Sequence, residues 1–247
     1  MIKFFRRIRQ NLLARGKTAT YFKYAIGEIV LVVIGILIAV QINSWNTSYQ
    51  KEKLKTTYTQ NLISDLVKDT LQLNDRVKWN KDGFLKLNDS LRVIFAKPTT
   101  TVNDIKQIGK KIGIKGLRTL NTYNDNTFKN LISSGNIDLF EQDLIQKIMN
   151  LNRSQNVEIE VSNGNRESYF RIYNNYLLRY IGRSGDINKT IKTELWKNVD
   201  ATEFASIYIN ATNVNHHAVL RYIELTEDVL LNTKELIEIL KSSLDVK

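Results

Sequence analysis

The chain has no cysteine, a single proline and no glycine beyond Gly185. Without cysteine there is no disulfide, no catalytic thiol, no thiolate metal site and no cysteine-linked lipid anchor. One breaker, Pro98, leaves long stretches free to stay helical. Nothing alternates convincingly with a period of two, so strands are not expected. Histidine is scarce as well: the two present, His216 and His217, are adjacent. Neighbouring helical residues point ~100° apart, which is poor geometry for chelating one ion. Glu224 and Glu227 follow them, but the His-x-x-x-His spacing of helical metal sites is missing. There is no phosphate-binding glycine loop, no paired-carboxylate motif and no Ser–His–Asp set; Ser133 and Ser134 have no histidine near them in sequence. The expectation is a protein that is not an enzyme, with no cofactor and no metal.

What is present is concentrated near the start. "YAIGEIVLVVIGILIAVQINSW" runs from Tyr24 to Trp45, and from Ala25 to Ile42 only Glu28 and Gln41 are polar. A helix over this stretch is about 31 Å long, enough to cross a hydrocarbon core of roughly 30 Å. Aromatic residues at both ends match the belt at headgroup depth. No small-x-small cleavage site follows, so an uncleaved anchor is expected over residues 24–45 rather than a removed signal.

The formal charge of +11 points first to nucleic acid, but its distribution argues against that. Residues 1–55 hold ten Lys or Arg against Glu28 and Glu52, leaving only +3 for the other 192 residues. Ahead of Glu28 stand Lys3, Arg6, Arg7, Arg9, Arg15, Lys17 and Lys23; behind the span stand Lys51, Lys53 and Lys55. The positive-inside rule then places the N-terminus in the cytoplasm and residues 46–247 outside, in the periplasm of a Gram-negative cell. No nucleic-acid partner is expected. In residues 1–23, Met1, Phe4, Phe5, Ile8 and Leu12 recur at helical spacing among the basic residues. That suits a helix lying on anionic lipid, each basic residue contributing about 1 kcal/mol. A mitochondrial presequence shares this composition, though the adjoining span and the Asn-rich remainder favour the surface helix.

The outer part reads as all-α, a helical bundle on a stalk. Leu62, Leu66, Val67, Leu71 and Leu73 mark an amphipathic helix that follows the span. "GFLKLNDSLRVIFA" marks a second helix ending before Pro98, and "TVNDIKQIGKKIG" a third. In "NDNTFKNLISSGNIDLF", Asp125 or Asn126 is placed to cap a helix whose apolar face is Phe128, Leu131 and Ile132. Gly135 is placed to form a left-handed elbow, with Asn136 or Asp138 starting the next helix near Leu139. Gly164 is expected to interrupt that helix. Tyr169, Tyr173, Tyr176 and Tyr180 then recur every three or four residues, a stripe better suited to packing than to a ligand. Ile223, Leu230, Ile237 and Leu244 repeat every seven residues, with Thr226 and Thr233 weakening the seam. Lys106, Lys110, Lys111, Lys115 and Arg118 form the densest basic run outside the N-terminus, a candidate patch for an anionic partner or a solvated face.

Two blocks, "YAIGEIVLVVIGILIAVQINSW" and "TFKNLISSGNIDLF", together resemble the signatures of a family of uncharacterised single-span membrane proteins from Bacteroidota, a domain of unknown function. They cover about forty residues, in the same order as in the family. The resemblance implies location and helical architecture and no reaction. The stalk "NTSYQKEKLKTTYTQ" departs from the family, which tends there to more Glu and Arg.

Within the span, Glu28 shares one helical stripe with Gly35 and Ala39, at about 20° to either side of it. Small residues at this spacing let helices approach closely in lipid, and an intramembrane acid normally faces a partner. A snorkelling, tolerated acid is the plainer alternative. The expected function is an inner-membrane, single-pass protein acting by contact. Its partners would be membrane lipid and a second transmembrane helix, in a homo-oligomer or another membrane protein. The alternative is a periplasmic ligand sensor using the tyrosine stripe or the basic patch, and relaying through a membrane partner.

Overall fold

A computed structural model describes residues 18–116, 118, 122–180 and 187–245. Most of the basic amphipathic segment expected at residues 1–23 lies outside the described residues. Among those described there are helices and no strands, so the all-α reading holds. In chain order the elements are α1 (Thr18–Lys78), a π-helical turn (Trp79–Leu85), α2 (Lys86–Phe95), α3 (Val102–Ile112) and α4 (Asn126–Ser133). A 3-10 turn (Asn136–Leu139), α5 (Gln142–Arg179), α6 (Lys189–Lys197) and α7 (Ala201–Asp245) complete them. The chain divides into two compact units, Met1–Thr57 and Tyr58–Lys247, and α1 contributes to both.

In the first unit the described helix buries almost nothing. Every residue from Ile29 to Gln50 is exposed. This is the one helix among the described residues long and apolar enough to cross a membrane, and none of its apolar window is buried within the chain.

The second unit is built on three long seams. Along α1 the buried positions are Thr59, Leu62, Leu66, Asp69, Leu73 and Arg76, alternating three and four apart. The apolar face is narrower than the sequence predicts, since Val67 and Leu71 are exposed. α5 buries Ile148, Leu151, Gln155, Glu158 and Ser162 in the same rhythm, then Tyr169 and Tyr176. α7 buries Ile223, Leu230 and Ile237 as read from the sequence, with Leu244 half-buried. Thr226 and Thr233 also sit on this seam, fully buried, each hydroxyl donating to the carbonyl four residues back (Tyr222 and Val229, 2.8 and 2.7 Å). Such 3-4 spacing is coiled-coil packing.

Cross-links fix the directions. Lys147 meets Glu235, Asn165 reaches the Ala218 carbonyl and Arg179 meets Glu203, so α5 and α7 run antiparallel. Asp69 meets Gln155 and Arg76 meets Glu158, so α1 and α5 run parallel. One apolar core gathers around Leu62, Leu66, Leu131, Ile148, Leu236 and Leu240. A second, largely aromatic, gathers around Leu91, Tyr176, Tyr180, Trp196, Phe204 and Tyr208. α3 closes tightly on the second: a Cβ at Gly109 would stand 2.4 Å from the Phe204 ring, so only glycine fits there.

Several boundaries differ from the sequence reading. The second expected helix is not separate, because the chain continues from α1 through the π turn into α2, with Lys86 N–H bonding to the Lys81 carbonyl five residues back. Asp125 sits at the start of α4 but its carboxylate pairs with Lys129 at 2.7 Å. The cap comes instead from α1, where Asp65 accepts from the Thr127 hydroxyl (2.6 Å) and amide (3.4 Å). Gly135 does adopt the left-handed conformation, at φ 70°. The helix after it starts at Gln142, the intervening residues forming the 3-10 turn. Gly164 does not interrupt α5. It is exposed, and its helical cost of about 1 kcal/mol is outweighed by the seam on either side.

The π turn resets the phase of the first seam. After Asn80 the regular rhythm would bring Gly83, Leu87 and Ser90 inward; the extra residue brings Phe84, Asn88 and Leu91 instead. Removing Gly83 therefore leaves Phe84, Asn88 and Leu91 in regular 3-4 spacing. Deletion of Gly83 is expected to preserve the fold and raise the melting temperature by a few degrees, since an interior glycine costs roughly 0.5–1 kcal/mol. Circular dichroism melts of the full chain in detergent check this, and loss of cooperative melting would refute it.

Candidate functional site

Three members of the basic run from Lys106 to Arg118 are engaged within the chain. Lys106 Nζ donates to the Val199 carbonyl at 2.6 Å, tying α3 to the segment before α7. Lys110 lies over the Trp196 ring, 6.0 Å from its centroid. Arg118 pairs with Asp75 at 2.9 Å and lies over Trp79. Asn80 holds the same loop by a reciprocal pair of bonds to the Arg118 backbone. Lys111 and Lys115 are exposed.

The tyrosine stripe belongs to the core. Tyr176 and Tyr180 pack with Trp196 and Phe204, and Tyr169 stacks on Tyr173. Burial pushes the hydroxyls of Tyr169 and Tyr176 up to about 12, so both stay neutral donors. Ser133 and Ser134 spend their hydroxyls on the Asn130 carbonyl. Glu224 pairs with Arg221 and Glu227 with Lys81. Among the described residues no cluster of three or more metal-ligating side chains occurs.

In the first unit Gly35 has open space around it, with nothing within 4 Å of a Cβ placed there. Glu28 is half-buried and Ala39 exposed. Among the described residues, the contact face predicted from spacing has no cover around Gly35 and Ala39.

Two polar assemblies in the second unit escaped the sequence reading. In the first, the Arg76 guanidinium pairs with the Glu158 carboxylate, both shut off from water. Glu158 also accepts from Tyr123 Oη (2.7 Å) and Ser162 Oγ (2.8 Å), and Arg76 lies over the Tyr222 ring at 5.0 Å. Burial and the Glu158 charge push the Tyr123 hydroxyl far up. Close by, buried Asp69 accepts from the Asn124 amide (3.0 Å) and side chain (2.7 Å), while burial raises its carboxyl.

The second lies between α2 and α7. Arg92 Nη1 stands 2.6 Å from His216 Nε2, and Asp89 Oδ1 stands 3.4 Å from His216 Nδ1. An arginine can only donate, so Nε2 is the acceptor and the imidazole proton sits on Nδ1. His216 is buried, and burial lowers its pKa; the Arg92 cation and His217 act the same way, against Asp89. Asp89 and Arg92 open onto a groove of about 640 Å³ that they share with Val93, Phe95, Ala96, Ile209 and Asn213. The signal for this site in the sequence was only the adjacent histidines, read as a weak metal pair.

Residues 28–184 match the Family of unknown function (DUF6090), well over half of the chain. The match takes in all but the first residues of the apolar block, and all of the "TFKNLISSGNIDLF" block. No curated protein and no solved structure matches the chain.

The His216 arrangement carries a pH signature. Its folded pKa is below the ordinary value near 6.5, so protonation favours the unfolded chain. Stability is full above about pH 6.5 and falls as the pH drops from there toward the folded pKa. His216→Gln, whose carbonyl still accepts from Arg92, is expected to flatten this loss. The contribution of Asp69 is common to both chains and cancels in the comparison. Urea unfolding at several pH values checks it, and parallel pH profiles for the two chains would refute it.

Proposed function

Taking as premise that the chain belongs to the Family of unknown function (DUF6090), we propose that it is a single-span inner-membrane protein, of the kind found in Bacteroidota, that acts by protein contact as a subunit of a membrane assembly. Its N-terminus faces the cytoplasm and its helical domain the periplasm. The carrying observation is the apolar segment whose Gly35 has nothing within 4 Å of a Cβ placed on it among the described residues and whose Ala39 is exposed. In lipid, tight packing of small residues replaces the hydrophobic drive between helices. Glu28, one turn inside the segment, is then held at a contact with a second transmembrane helix, where an intramembrane acid costs least. The partner is a second copy or another membrane protein. The second unit supports the same reading: its tyrosines and most of its basic run are committed to packing and ion pairs within the chain.

Gly35→Ile is expected to lower association several-fold in a membrane crosslinking or two-hybrid assay, while Leu37→Ile, on another face, leaves it unchanged. Equal association by the two variants would remove the contact role. Orientation rests on the basic bias ahead of the span. A reporter active only in the periplasm, fused after Lys247, is expected to be active; activity from a cytoplasm-only reporter there would reverse the orientation.

A further inference from the structure

The groove between α2 and α7 sets one cation and one anion beside an apolar wall. Arg92 and Asp89 lie one helical turn apart on α2 and form no ion pair with each other. Both touch the same imidazole, one at each nitrogen, so their tips are no more than about 8 Å apart. His216 is a rigid spacer: it is buried at 6 % exposure, and its Nε2 holds one nitrogen of the guanidinium. The other guanidinium donors are left for a carboxylate, which arginine takes in a two-pronged fork. Half-exposed Asp89 offers a carboxylate to an ammonium, and Asn213 adds an amide that can serve either group. Val93 and Phe95 from α2, Ala96 just past its end and Ile209 from α7 line the remaining groove.

We propose that this groove binds a free α-amino acid with an apolar side chain, its carboxylate on Arg92, its ammonium on Asp89 and its side chain against Phe95 and Ile209. Ligand span decides the class. Carboxylate and ammonium on one carbon, each with a hydrogen bond of about 2.8 Å, bridge a gap of this size; the ends of a dipeptide are set too far apart. A plain anion would leave Asp89 facing it, and a plain cation would leave Arg92 facing it, each a repulsive contact. The apolar wall favours side chains such as leucine or phenylalanine over charged ones, because burying an unpaired charge there is costly. The site is independent of the transmembrane contact face and stands whether or not the chain associates through Gly35.

The test is calorimetric titration of L-leucine into the full chain in lipid nanodiscs, with N-acetyl-leucine, leucinamide and leucyl-leucine as comparison probes. L-leucine is expected to bind at one site. Each of the three probes is expected to bind at least about ten-fold more weakly, as each loses or misplaces one charged bond. Arg92→Gln and Asp89→Asn are each expected to weaken leucine binding about ten-fold or more with helical content unchanged. Lys241→Gln, far along α7, is the control and keeps full affinity. Should Arg92→Gln unfold through loss of its bond to His216, Asp89→Asn decides alone. No binding of leucine at about 10 mM, equal binding of leucine and N-acetyl-leucine, or full affinity in Asp89→Asn would each overturn the proposal.

Discussion

A guanidinium and a carboxylate facing each other without water, Arg76 and Glu158, set the terms for the rest of the second unit. Each charge alone in that place costs several kcal/mol, and removing one partner of such a pair typically costs 3–5 kcal/mol. The pair as a whole adds little to stability compared with an apolar filling. Its effect is positional. A slip of α1 against α5 by one heptad would bury both charges apart, so only one register of the two parallel helices is affordable. Tyr123 and Ser162 complete the carboxylate's hydrogen bonds, and Thr226 brings α7 to the same level. In sequence, Glu158 on α5 lies between Leu151 of the first apolar core and Tyr176 of the second, and Thr226 on α7 between Tyr208 of the second and Val229 of the first; Arg76 follows the first core's Leu73 near the end of α1, ahead of the second core's Leu91 on α2. The polar layer thus fixes how the two cores are stacked.

The same logic reaches α2 and the groove. Because the π turn inserts one residue, the side of the helix that faces α7 changes from the one Arg76 occupies to the one carrying Phe84, Asn88 and Leu91. Asp89 and Arg92 come with it, and their approach to His216 follows from the antiparallel course of α7. Register set at Arg76 and phase set at the π turn together decide which side chains line the groove.

How much of this could be read in the sequence depends on whether the residues obeyed the binary pattern. The apolar segment, the elbow at Gly135 and the heptad from Ile223 to Ile237 did, and each was legible. Asp69, Arg76 and Glu158 did not: their spacing puts them on the inward stripe, but their charge breaks the apolar pattern there, and nothing local tells a buried charge from a solvated one. Val67 and Leu71 were misplaced for the same reason, taking inward positions that polar residues hold. Gly164 looked like a breaker because propensity is a weak prior against tertiary packing. Gly109 looked unremarkable although the Phe204 ring requires it, since the contact joins residues far apart in sequence. The groove likewise depends on a contact between residues 124 positions apart, Arg92 and His216, and no spacing rule connects them.

Thr226, which meets the Arg76 side chain, lies 150 positions further along the chain. The consequence is one of timing during synthesis. At roughly 5–20 residues per second, about 8 to 30 s pass between the appearance of Arg76 and that of Thr226. Throughout this interval α1 displays a seam of alternating leucines and unmatched polar groups, and α5 can cover only part of it. A helix that is made early is completed late, so the nascent chain passes through a long-lived, half-covered state of the kind that holding chaperones bind.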